Sequence, residues 1–115
     1  MDRHIIEQLQ LDAAQQQQFE RLKSAHHEQI MADNRAYRET LDSYLDLLKN
    51  EGVVPAQKDS IEAVLTRIQN HKASVTFQHF AELKALCTLA QKQRFDALLP
   101  ELKQVILPPP PADRR

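Results

Sequence analysis

From Ala13 to Asn50 the chain carries neither glycine nor proline, and its apolar and amphipathic residues recur at helical spacing. Phe19, Leu22, His26, Ile30, Tyr37, Leu41, Tyr44 and Leu48 follow in steps of three and four, with one full heptad between Ile30 and Tyr37. Each residue of a helix turns about 100°, so this spacing lays them along one stripe. A helix of that length extends about 55 Å at the standard rise. Such a rod cannot bury its stripe alone.

Asn50-Glu51-Gly52-Val53-Val54-Pro55 supplies the break. Gly52 suits the left-handed conformation that ends a helix, and Pro55 suits the first turn of the next. A second long helix is predicted from Pro55 to Leu86, with Ile61, Leu65, Ile68, Val75, His79, Leu83 and Leu86 as its stripe and Lys72 interrupting. A short connection between two long helices makes them antiparallel neighbours. Residues 2–9 predict a short leading helix, with Ile5, Ile6 and Leu9 on one side. Asp12 and Gln15 have the spacing of a capping box, and so do Thr88 and Gln91. The last helix is predicted from Leu89 to Val105 and carries Phe95, Leu98, Leu99, Leu102 and Val105. Pro100 within it predicts a bend or an early stop near Leu99. The fold class is therefore all-α: a long antiparallel helical hairpin with short flanking helices, one domain over 1–107. Residues 108–115, opening with four prolines, read as an exposed extended tail. One glycine and no β-branched runs exclude a β-sandwich or a doubly wound sheet.

Fifteen basic and sixteen acidic residues leave a net charge of −1 and are interspersed along the helix faces. Nucleic-acid binders carry a basic excess or stripe, so nucleic acid is not an expected partner. There is no Gly-rich phosphate loop, no Gly-x-Ser-x-Gly and no His-Glu-x-x-His, so no enzyme is expected. Cys87 is the single cysteine. It reads first as a small packed side chain, with interchain pairing or metal ligation as alternatives. No stretch reaches the ~20 apolar residues that span a bilayer, and Met1-Asp2-Arg3-His4 leads straight into an amphipathic helix.

Two segments echo each other. Leu11-Asp12-Ala13-Ala14-Gln15, followed by Phe19 and Leu22, lines up with Cys87-Thr88-Leu89-Ala90-Gln91, followed by Phe95 and Leu98. The pair resembles, in degenerate form, the two LTxxQ motifs of the Spy/CpxP-type periplasmic family. The stretch from His79 to Leu102 is similar to its CnrX/ZraP-like members, the proteins labelled periplasmic heavy-metal sensors. The resemblance covers roughly residues 9–106. It implies a bent helical hairpin that pairs into a homodimer. It also implies a periplasmic location, with an N-terminal signal or membrane anchor that this chain does not carry. A thin two-helix hairpin has little interior for its surface, which also points to a second copy.

Five histidines raise a metal site: His4, His26, His27, His71 and His79. His27 and Met31, at i and i+4, share a helix face. With the turn centred near Val53, positions summing to about 106 face each other, which brings His26 or His27 near His79. Glu28, next to His27, and Glu82, three residues after His79, sit close enough in sequence to add a carboxylate. Imidazole donors suit Zn, Ni, Co or Cu, and a thioether leans to softer ions. The metal-sensing relatives carry His-xxx-His and His-xxx-Met. Here His27 and Met31 keep one pair, whereas Leu83 follows His79, so no complete ligand set is visible. The candidate metal residues are His26, His27, Met31 and His79. The candidate motif residues are Leu11, Asp12, Gln15, Thr88 and Gln91. Three functions follow as expectations. The first is a heavy-metal-resistance or envelope-stress accessory or sensor that signals to a membrane protein. The second is a holdase chaperone for unfolded clients, and the third is a structural coiled-coil adaptor.

Overall fold

The computed structural model describes residues 2–111. Among them the chain is all helix, with no strand: α1 (Asp2–Leu9), α2 (Ala13–Asp46), α3 (Pro55–Leu86) and α4 (Leu89–Ile106), with a 3-10 turn at Leu47–Lys49 after α2. Four of the residues expected in the extended tail, 112–115, lie outside the described residues. The chain divides into two compact units. One joins the residues up to Gln18 with those from Lys84 onward; the other is Phe19–Leu83.

The first unit holds most of the core. Ile5 and Leu9 of α1 are buried together with Leu11, Cys87 and the α4 residues Phe95, Leu98 and Leu102. α1 packs on α4, and His4 Nε2 meets Glu101 Oε2 at 2.7 Å across that contact. Lys84 reaches Asp96 Oδ1 at 2.7 Å and lies over the Phe95 ring, 5.7 Å from its centroid.

α1 ends in a Schellman closure. Leu11 N–H donates to Ile6 O and Gln10 N–H to Glu7 O, with Gln10 at φ 55° in the left-handed region. That position is ordinarily glycine, and no residue pattern marked it in advance. α4 runs without a stop to Ile106 although Pro100 sits inside it. Of the bend or early stop expected near Leu99, the stop does not occur. Pro100 is exposed, so its ring faces solvent, and burial of Leu98 and Leu102 holds the helix together on either side. Val105, expected in the stripe, is 65 % exposed.

The second unit is built differently. Phe19, His79 and Leu83 are buried, but between residues 20 and 78 no residue is fully buried. Leu22, Ile30, Tyr37 and Leu41 on α2, and Ile61, Leu65, Ile68 and Val75 on α3, are half-covered stripes. Side chains of the two helices meet in reverse order. Tyr44 donates to Glu62 at 2.6 Å, Asp33 meets His71 at 2.6 Å, and His26 meets Thr76 at 3.1 Å. α2 gives way to the 3-10 turn at Leu47, which rotates Leu48 out of the stripe. Leu48 is 82 % exposed, and Leu47 takes the half-buried position. Gly52 takes φ 75° between the helices, as its place in the break predicted. Val54 O then accepts the first amide bonds of α3, from Gln57 and Lys58.

Candidate functional site

Two places gather the residues that the sequence singled out. The first lies in the unit holding α1 and α4, where the two capping boxes interlock. Asp12 Oδ1 accepts from Gln15 N–H at 2.8 Å, and Gln15 Oε1 accepts from Asp12 N–H at 2.9 Å. Thr88 Oγ1 accepts from Gln91 N–H at 3.3 Å, and Gln91 Oε1 accepts from Thr88 N–H at 2.8 Å. Each box satisfies two helix-terminal donors that would otherwise lack partners.

The two glutamines then bond each other. Gln15 Nε2 donates to Gln91 Oε1 at 2.7 Å, and Gln91 Nε2 donates to Gln15 Oε1 at 3.0 Å. Their remaining N–H groups reach backbone carbonyls five residues before the partner glutamine: Gln15 to Leu86 O and Gln91 to Gln10 O, both at 3.0 Å. Each amide thus makes two donor and two acceptor bonds, its full capacity. The bonds from Asp12 N–H and Thr88 N–H fix which end of each amide is oxygen. Gln91 is buried and Gln15 half-buried, and a buried amide with every bond made carries no desolvation penalty from an unmet group. Leu11 is buried beside the first box and Cys87 beside the second. Burial pushes the Cys87 thiol up, away from the thiolate that exchange or metal ligation uses.

The second place is in the unit Phe19–Leu83. His26 of α2 stacks on His79 of α3 with ring centroids 4.5 Å apart and planes 23° from parallel. Phe19 continues the stack on His79 at 6.3 Å, and Phe80 meets His79 edge-on at 4.8 Å. Burial, helped by the neighbouring His27, lowers the pKa of His26 below its ordinary 6.5. Beside the rings lies an open cleft of about 330 Å³, lined by His26, His71, His79, Gln29, Gln78 and Glu82 among others.

Of the four candidate metal residues, the structure brings only His26 and His79 together. His27 and Met31 are exposed, Met31 at 48 %. Of the two histidines expected near His79, it is His26 that meets it. Among the described residues no three His, Cys, Asp or Glu side chains converge as donors for one ion. His71 and Thr76 were not singled out from the sequence, although His71 was among the histidines considered. His71 pairs with Asp33, two positions from Arg35, the residue that the facing rule sets opposite it. Among the described residues no helix is long and apolar enough to cross a membrane.

No protein-family model, no curated protein and no solved structure matches this chain.

Proposed function

We propose that this chain is a periplasmic heavy-metal-resistance or envelope-stress accessory protein that acts by reversible binding, with α2 and α3 as an antiparallel hairpin and two copies forming the working unit. The observation that carries the reading is the meeting of His26 and His79 beside an open cleft that His71 and Glu82 also line. Neutral imidazole is the form that ligates a transition metal, and burial favours that form at His26. Two imidazoles are fewer than a stable site needs, so in this reading further donors come from the second copy or from a partner. The half-covered stripes between residues 20 and 78 support pairing, because a second copy would take that apolar area out of water. The interlocked Asp12–Gln15 and Thr88–Gln91 boxes support kinship with the Spy/CpxP-type family, whose paired motifs they resemble.

Titration of the full chain with Zn, Ni, Co and Cu, followed by calorimetry and sedimentation, tests the reading. Saturable binding at a fixed ratio of metal to dimer is expected, with loss of at least about tenfold in affinity in His26→Asn. Absence of saturable binding for all four ions would defeat it.

A second reading, a holdase, is favoured by one observation. Leu45, Leu48, Val54 and Phe77 are exposed at 51, 82, 58 and 77 % in the same unit. Suppression of a client's aggregation at near-equimolar ratio in the presence of a chelator would favour it over the metal reading.

A further inference from the structure

We propose that the segment from Val105 to Pro111 is a docking ligand for a proline-recognising protein partner, one whose groove is floored by parallel Trp or Tyr rings. Leu107 closes α4 at φ −70°, ψ 144°, which lies in the polyproline II region. Its N–H, bonded to Lys103 O at 2.9 Å, is the last amide donor before four consecutive prolines. Each proline ring fixes its own φ, and each proline bars the preceding residue from the helical region. The extended form therefore exists before a partner arrives. Residues 107–111 are exposed; at about 3.1 Å per residue the four prolines make a rod of about 12 Å.

Such a rod offers carbonyl acceptors without competing donors, and flat ring faces that stack on aromatic side chains. An indole N–H or a phenol O–H supplies the matching donor. Docking a preformed rod forfeits little chain entropy, which is the physical basis of this mode of recognition. The residues that lead into the rod separate a ligand from a plain spacer. Val105, Ile106 and Leu107 are 65, 40 and 60 % exposed, so an aliphatic anchor adjoins the prolines with no charge between them. A spacer has no use for that anchor. Asp113, Arg114 and Arg115 follow in the sequence, a net positive side-chain charge that suits a groove rimmed by carboxylates. A second copy of this chain is a poor fit as the groove. The rings that lie together among the described residues, Phe19, His26, His79 and Phe80, are buried or half-buried in the other unit.

The test is an amide-shift titration of the labelled full chain with two unlabelled probes, an isolated WW domain and an isolated SH3 domain with established preferences for proline-rich ligands. Saturable shifts confined to Lys103–Leu107 and to the residues after Pro111 are expected with at least one probe, half-complete below about 1 mM. A Pro109→Gly, Pro110→Gly double variant, which leaves all four helices intact, is expected to weaken that binding at least about tenfold. Shifts that persist in the variant, shifts centred on α2 or α3, or none with either probe would overturn the proposal.

Discussion

Gln10 holds a conformation that costs any residue with a Cβ about 1–2 kcal/mol, and it does so at the C-terminal closure of α1. Its side chain is exposed and its carbonyl, not its amide group, serves Gln91. Gln10→Gly removes the steric cost and adds some unfolded-state entropy. A net gain of about 0.5–1 kcal/mol in urea unfolding is the expected outcome, with the Gln91 bond retained. At His26 the sign follows from the direction of the shift. The folded pKa lies below the unfolded 6.5 because burial disfavours the imidazolium, so the folded state binds fewer protons in the window between the two. The contribution of this residue is fully present above pH 6.5 and is lost as pH falls through the folded value. Urea midpoints should therefore decline from pH 7 towards pH 5 more steeply in the parent than in His26→Phe; parallel profiles would contradict the assignment. The capping pairs were legible at this scale because Asp12–Gln15 and Thr88–Gln91 carry their own spacing. The bonds between the two glutamines were not, since nothing local encodes which distant amide each one meets.

Among the helices, α4 tolerates a residue that should break it. Pro100 removes the amide that would bond Asp96 O, yet the helix runs from Leu89 to Ile106. The ring is exposed. Pro100→Ala is expected to stabilise the protein by about 1–3 kcal/mol, the helix penalty of proline less its restriction of the unfolded chain. Thermal unfolding reads this directly, and a drop in stability would mean that the proline holds a bend the fold needs. Element existence and type were readable throughout, because periodicity and the Gly52–Pro55 break act locally. The errors fell at ends: Leu48 turned outward where α2 tightened into a 3-10 turn, and Val105 turned outward in the last turn of α4. Terminal turns are decided by which carbonyls find donors, and the apolar pattern does not encode that.

At the scale of the whole molecule the two units differ in how much they bury. The unit holding α1 and α4 contains Ile5, Leu9, Leu11, Phe95, Leu98 and Leu102 behind a closed set of amide bonds, whereas residues 20–78 bury no side chain fully. Local opening free energy follows such burial. Amides of α1 and of α4 up to Leu102 should exchange slowest in hydrogen-exchange mass spectrometry, and those from Tyr44 to Ser60 fastest among helical residues. Protection of the second unit that rises with protein concentration would mark self-association covering the stripes, and protection that rises with added metal would mark the cleft. The difference in burial also bears on Gln15 and Gln91. Two carboxamides that exchange both of their bonds accept no isostere: a Glu in either place sets oxygen against oxygen, and a Leu strands its partner among carbonyls. Drift in the apolar positions of this chain can be absorbed by repacking. At these two sites a change must occur on both sides together, so across diverging copies of such a sequence they should vanish or persist as a pair.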